Sequence, residues 1–209
     1  MSLLARGSKT TDIRKMVYLA ILSALVFVLQ FVSMWMRFTL FSITLVLIPI
    51  VIGSALCGKW AGAWLGFVFG VAVLATGDAA SFLVINPFGT VLTVLLKGTV
   101  AGFGSGLVYS LLESKNRYLA VVIAAISAPI LNSGIFIVGS YVFFLDALKD
   151  WASAFGYANV HLYIILGLVG INFLIELGTN CILAPAVLRI VDVVKPNRRN
   201  HPTDKAQEE

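Results

Sequence analysis

The chain has 209 residues, of which 59% are apolar and 12% are charged, and its formal net charge is +5. Charged residues are about half of their usual share of roughly 25%, which excludes an ordinary soluble domain and predicts an all-α integral membrane protein. The basic residues lie mostly in the tails and short loops, so we expect contact with anionic membrane lipid and not with nucleic acid.

Six apolar segments predict a six-transmembrane-helix bundle, which forms one domain at 15–194 between tails at 1–14 and 195–209. The first segment is too long for the core of a signal peptide, so we expect it to be retained. The second and third segments are short, which predicts tilted or incompletely spanning helices. The six segments lie at about residues 15–36, 43–58, 60–76, 89–112, 118–145 and 161–193.

The basic residues are unequally divided between the two sides that six spans would create. Arg37 and Lys149 would lie on one side, and the eleven other basic residues of the loops and tails would lie on the opposite side. By the positive-inside rule, this asymmetry predicts that both termini are cytoplasmic. The residues on the predicted cytoplasmic side are Arg6, Lys9, Arg14, Lys15, Lys59, Lys115, Arg117, Lys195, Arg198, Arg199 and Lys205.

Five polar residues lie near the middle of the predicted spans: Lys97, Asn132, Asn172, Glu176 and Asn180. A charge at the bilayer centre costs a few kcal/mol (~3), so Lys97 and Glu176 should face the protein interior, pair with each other or mark a substrate path. The spacing of the last three residues predicts that they share one helix face. We expect the five to line a pocket for a polar ligand. The alternative is a ligand-free network of amide bonds that holds the bundle together.

Two predicted outer loops combine glycine with aromatic residues, at 77–88 and at 146–160, where Trp151 lies. This composition is typical of a mobile lid over a pocket that opens outward. The alternative is that the aromatic rings anchor the protein at the membrane surface. Trp35 and Arg37, at the outer end of the first helix, are placed to contribute to the same pocket.

Small residues recur at helical spacing in three of the predicted helices. Such stripes let helix backbones approach each other closely inside a membrane. Most of them are expected to pack helices together within the bundle. The stripes are Ala20 and Ala24, then Gly58, Gly62, Gly66 and Gly70, and then Gly98, Gly102 and Gly106.

Catalytic chemistry finds no support in the sequence. The segment 53–60 resembles a phosphate-binding P-loop, but Trp60 replaces the Ser or Thr that would hold magnesium. The two histidines, His161 and His201, are far from any buried nucleophile, and there is no carboxylate cluster for a metal. Cys57 and Cys181 lack the spacing of a redox pair or metal site. We therefore predict neither an enzyme nor a bound cofactor.

The chain resembles the substrate-binding S components of energy-coupling factor transporters, especially the riboflavin-type group. The resemblance covers nearly all of 15–194 and includes the stretches 47–53 and 61–70. Its most specific element is the segment from Ala20 through Ser23 to Ala24, which looks like the AxxxA pattern by which family members dock onto the transmembrane coupling subunit.

The resemblance implies a vitamin-capture subunit of the bacterial or archaeal plasma membrane that works with a coupling subunit and two cytoplasmic ATPases. It also implies that ligand binds between the outer halves of the last three helices and the outer loops, where Lys97, Asn132, Asn172 and Glu176 are expected. Riboflavin-like substrates rank first, because amides and aromatic rings suit a flavin, and pantothenate ranks second, because Lys97 or Arg37 would meet its carboxylate.

Two other functions stay open at this point. In a self-sufficient small transporter or channel, Lys97 and Glu176 would relay a proton or ion. In a membrane scaffold, the small-residue stripes would bind another protein and there would be no small-molecule ligand.

Overall fold

The computed structural model describes the backbone of residues 2–35, 37–38, 41–42 and 45–195, and the side chains of residues 13–35 and 45–195. The described part is a helical bundle with one short antiparallel hairpin. The elements in chain order are α1 (Ser2–Trp35), β1 (Arg37–Phe38), β2 (Phe41–Ser42), α2 (Leu47–Cys57), α3 (Lys59–Ala75), α4 (Ala80–Ile85), α5 (Pro87–Leu112), α6 (Arg117–Phe143), α7 (Leu145–Ala154), α8 (Val160–Leu162), a π-helical segment (Tyr163–Gly170) and α9 (Ile171–Val194).

Four helical stretches of the described chain are long and apolar enough to cross a membrane: Ile13–Trp35, Pro87–Leu112, Arg117–Phe143 and Val160–Val194. These confirm the first, fourth, fifth and sixth predicted segments as candidate spans. With 11 and 17 residues, α2 and α3 are helical but shorter than the ~20 residues that a 30 Å hydrocarbon core requires. The count of six spans and the cytoplasmic position of both termini remain predictions.

Three boundaries differ from those expected. The first helix begins at Ser2, within the segment that was expected to be a tail. The two predicted outer loops contain α4 and most of α7, respectively, and are therefore largely helical. In α7, Leu148 and Ala152 are buried against Tyr163 and Ile164, so tertiary packing stabilises a helix whose own length is marginal.

Asparagine side chains define where three helices start. The Oδ1 of Asn86 accepts a hydrogen bond from the Gly89 N–H at 2.9 Å, and Pro87 follows as the first helical residue of α5. Asn116 and Asn159 cap α6 and α8 in the same way. Each cap satisfies a backbone donor that the helix itself leaves unpaired, and proline at the first position loses nothing because its N–H would be unused.

The corner between α2 and α3 is made by Gly58, whose φ of 98° is a backbone conformation that other residues rarely adopt. This turn brings the glycine row of α3 against α5. A Cβ at Gly62 would collide with the Gly102 carbonyl oxygen, and one at Gly66 would collide with that of Gly98. The predicted close packing of these stripes is therefore confirmed, with backbone lying directly on backbone.

Gly66→Ala should lower the free energy of unfolding by roughly 1–3 kcal/mol, because the added methyl group forces α3 and α5 apart. Gly134→Ala is the matched control, because apart from its chain neighbours and the adjacent backbone of its own helix, no described atom lies within 4 Å of the position that the methyl group would take at that helical glycine. The control should be neutral or stabilising by about 0.5–1 kcal/mol. Thermal unfolding in detergent measures both. Equal midpoints for the two variants would contradict direct backbone contact between α3 and α5.

An ionic cluster joins the end of α5, the start of α6 and the end of α9. The Arg117 guanidinium donates to Asp192 at 2.9 Å and to the Lys195 carbonyl oxygen at 2.6 Å. Glu113 accepts from Lys195 at 2.7 Å and lies 3.6 Å from Arg117. The cluster fixes this end of the bundle, and the polar residues predicted to form a site lie toward the opposite end.

Candidate substrate-binding site

A cavity of about 220 Å³ lies in the half of the bundle where α3 and α6 end and α5 and α9 begin. The cavity is below the roughly 300–1,000 Å³ typical of sites for drug-sized ligands, so it fits a small molecule, or a larger one whose binding moves α4 and α7. Its wall is formed by α3, α4, α5, α6, the π-helical segment and α9, together with the turn before α4.

Four of the predicted residues lie around this one cavity: Lys97 from α5, Asn132 from α6, and Asn172 and Glu176 from α9. The Nδ2 of Asn132 donates to Glu176 Oε2 at 3.4 Å, and the Nδ2 of Asn172 donates to the Leu168 carbonyl oxygen at the same distance. Glu176 is buried and is the acidic group that acts electrostatically on Lys97. Three different helices thus supply polar side chains to the wall of a single cavity.

The Lys97 ammonium lies over two phenyl rings of the wall. Its Nζ is 5.3 Å from the ring centroid of Phe136 and 5.9 Å from that of Phe69. A cation within about 6 Å of an aromatic face is attracted by the negative charge of the ring face. These rings therefore stabilise the charged form of Lys97 beside the cavity, and the Glu176 carboxylate acts in the same direction.

The other predicted residues lie elsewhere. Asn180 is buried and donates to the Glu176 carbonyl oxygen at 2.8 Å, and it is not among the residues that line the cavity. Trp151 lies behind Phe82, with ring centroids 5.5 Å apart, and Phe82 itself lines the cavity. The backbone of Arg37 lies in β1, but its side chain is outside the described residues.

Aromatic rings from three parts of the chain meet at one edge of the cavity. Phe82 of α4 packs edge to face on Phe144 and Phe136, with ring centroids 5.0 and 5.6 Å apart. Trp151 of α7 also packs against the Phe82 ring. On the exposed side of α7, Lys149 donates to Asp146 at 2.8 Å, and this hydrogen bond holds the pKa of Asp146 below its usual range. The two segments expected to form a lid thus meet in one aromatic cluster.

The comparisons with known proteins identify the family. A family model described as ECF transporter, substrate-specific component, matches residues 14–188, which is most of the chain. The chain belongs to this family. No curated protein and no solved structure matches the chain.

As an energy-coupling factor S component, the protein is a non-catalytic, multi-pass membrane subunit that binds substrate and works with a transporter module. The prediction that the chain is not an enzyme is therefore confirmed by its family. The match specifies neither a substrate nor membership of the riboflavin-type group.

The positions expected to dock the S component onto its partner lie on α1. Ala20 and Ala24 are both exposed, so their small side chains leave part of the helix surface open to a neighbour. Ser23 is partly covered, donates to the Leu19 carbonyl oxygen at 2.7 Å and accepts from Trp64 Nε1 at 3.2 Å. The Ser23 hydroxyl group therefore forms its hydrogen bonds within this chain, whereas Ala20 and Ala24 are exposed to a partner.

The same helix also reaches the cavity. Gln30, which is buried in α1, donates from Nε2 to Asp78 Oδ2 at 3.1 Å, and Asp78 lines the cavity. A direct hydrogen bond therefore connects the helix that carries Ala20 and Ala24 with the wall of the cavity.

Sequence reasoning missed several lining residues, among them Thr93, Ser133 and Phe136. Helical spacing was the available signal. Thr93 lies four residues before Lys97 on α5, and Phe136 lies four residues after Asn132 on α6, so each shares a face with a predicted site residue. Phe69 had no comparable marker, because a phenylalanine within an apolar segment is equally expected to face lipid.

Proposed function

We propose that this S component captures a water-soluble vitamin or a related micronutrient in the 220 Å³ cavity and passes it to a coupling subunit driven by two ATPases. The observation that carries the proposal is the convergence of Lys97, Asn132, Asn172 and Glu176 on one cavity that is also lined by aromatic rings. A pocket with a few converging polar groups in an apolar wall is the usual form of a small-molecule site.

Two substrate classes are supported by features of this wall. The phenyl rings of Phe69, Phe82 and Phe136 suit a planar ring system, so riboflavin-like substrates rank first, and α4 and α7 would move to admit a flavin. The Lys97 ammonium would meet a carboxylate, which keeps pantothenate second. Asn180 and Trp151 would then support the site from outside the residues that line the cavity, and Arg37 is proposed as a second partner for a carboxylate.

The proposal is tested by reconstituting the S component in liposomes with and without the coupling subunit and its ATPases. We expect uptake of radiolabelled riboflavin or pantothenate only with the complete module and ATP. Uptake by the isolated S component, driven by a proton gradient, would instead support the self-sufficient transporter. That alternative is favoured by one observation, the presence of Lys97 and Glu176 at the same cavity.

A further inference from the structure

Two polar atoms in the wall of the cavity have no hydrogen-bond partner among the described residues. They are the hydroxyl oxygen of Thr93 and the carbonyl oxygen Oδ1 of Asn132, whose residues are only 3% and 6% exposed. Other polar groups in the same wall are occupied: Thr90 donates to the Asn86 carbonyl oxygen at 2.8 Å, and Asn172 donates to Leu168. Buried polar atoms are nearly always paired, so an unpaired set within a cavity indicates a partner that binds there.

The surroundings of both atoms restrain their orientation. Asn132 uses Nδ2 to donate to Glu176, which leaves Oδ1 as the unused end of the amide. Thr93 packs against Gly139 of α6 so closely that a Cβ at this glycine would collide with both Oγ1 and Cγ2 of the threonine. The absence of a side chain at position 139 is therefore what gives the Thr93 hydroxyl its place. A site whose polar groups are oriented before the ligand arrives loses little conformational entropy on binding.

The chemistry of these atoms defines the complementary group on a ligand. Oδ1 of Asn132 only accepts, so it requires an N–H or O–H donor, whereas the Thr93 hydroxyl group both donates and accepts. The nearby rings of Phe69, Phe82 and Phe136 favour a planar molecule that packs against them. Together these groups suit a flat ring with an N–H next to a carbonyl oxygen.

We propose that Thr93 and Asn132 determine specificity by binding the uncharged amide-like edge, N–H beside C=O, of a planar heterocyclic substrate. This inference rests on the proposed function and narrows its substrate class. It assigns to Thr93 a role in selecting substrate. It also ranks heterocyclic amides above aliphatic carboxylates such as pantothenate.

Thr93→Val tests the inference, because valine keeps the shape of threonine and removes only the hydroxyl group. The unpaired hydroxyl contributes no hydrogen bond to the described part of the unliganded protein, so the variant should unfold at the same or a higher temperature than the natural protein. Ser140→Ala is the matched control: the Ser140 hydroxyl is also buried and unpaired among the described residues, but Ser140 does not line the cavity.

Riboflavin, its N3-methyl derivative, nicotinamide and pantothenate are titrated by calorimetry into the natural protein and both variants. We expect riboflavin or nicotinamide to bind to the natural protein. Thr93→Val should weaken that binding about tenfold, which corresponds to the loss of one hydrogen bond of ~1.4 kcal/mol. Ser140→Ala should leave the binding unchanged. If riboflavin binds, N3-methylation should weaken it similarly.

Two results would overturn the inference and leave the proposed function intact. One is pantothenate as the only ligand, and the other is a heterocycle that binds Thr93→Val as tightly as the natural protein. Folded protein that binds none of the four probes would also overturn this inference, and failure to bind any other member of a vitamin panel would contradict the proposed function as well.

Discussion

Replacing both Ala20 and Ala24 by leucine is expected to abolish substrate uptake by the assembled transporter while leaving substrate binding intact. Both alanines are exposed on α1, at the segment that resembles the docking pattern of the family. Association of helices in a membrane depends on close packing, which small residues permit and bulky ones prevent. A loss of only ~1.4 kcal/mol of docking free energy would weaken association tenfold, and two leucines should cost at least that.

The measurement compares uptake in cells that express the complete transporter with ligand binding by the purified variant. Ala186→Leu is the matched control, because Ala186 is an exposed alanine on α9, outside the proposed docking surface. The control should retain both uptake and binding. Normal uptake by the double variant would contradict docking through α1, whereas loss of both properties would show that the substitutions disrupt folding.

Lys97→Met is expected to destabilise the protein by about 3 kcal/mol, because it removes the cation that lines the same cavity as the buried Glu176 carboxylate. Glu176→Gln in the same chain should restore most of that loss, since the amide removes the unbalanced charge. Thermal unfolding of the natural protein, both single variants and the double variant in one detergent gives the coupling free energy.

Lys59→Met controls for the contact between the ammonium group and the aromatic ring. The Lys59 Nζ lies 5.7 Å from the ring centroid of Phe103, and this interaction resembles that of Lys97 with Phe136. The control should cost roughly 0.5–1 kcal/mol, the value of an exposed cation–π contact. A similarly small effect for Lys97→Met, with no restoration in the double variant, would show that Lys97 does not balance Glu176. If the double variant regains its stability and binds substrate normally, Lys97 is not a ligand contact.

The polar wall of the cavity was predictable because burying such residues in a membrane is costly. Lys97, Asn132, Asn172 and Glu176 stand out in apolar helices, and the structure brings them to one cavity. Asn180 was grouped with them by its spacing. It lies one helical turn, about 6 Å, beyond Glu176, and its amide donates to the Glu176 carbonyl oxygen of its own helix.

The helices α4 and α7 in the two predicted outer loops were harder to predict, because they depend on tertiary contacts. The six residues of α4 are too few to form a stable helix alone, and their ring contacts, through Phe82 to Phe144 and Trp151, come from distant parts of the chain. Glycine and aromatic residues therefore indicated a lid without indicating helices. The short α2 and α3 were recognised because an apolar segment and its Gly58 break are both local signals.

The most direct test of the central claim is to purify the protein in mild detergent and identify any small molecule that copurifies, by absorbance and mass spectrometry, before titrating a vitamin panel. Substrate capture predicts one bound vitamin or related micronutrient, at about one molecule per chain, that is lost when the cavity residue Asn132 is replaced by leucine. Folded protein that carries no small molecule and binds no member of the panel would contradict substrate capture and favour the self-sufficient transporter or the scaffold.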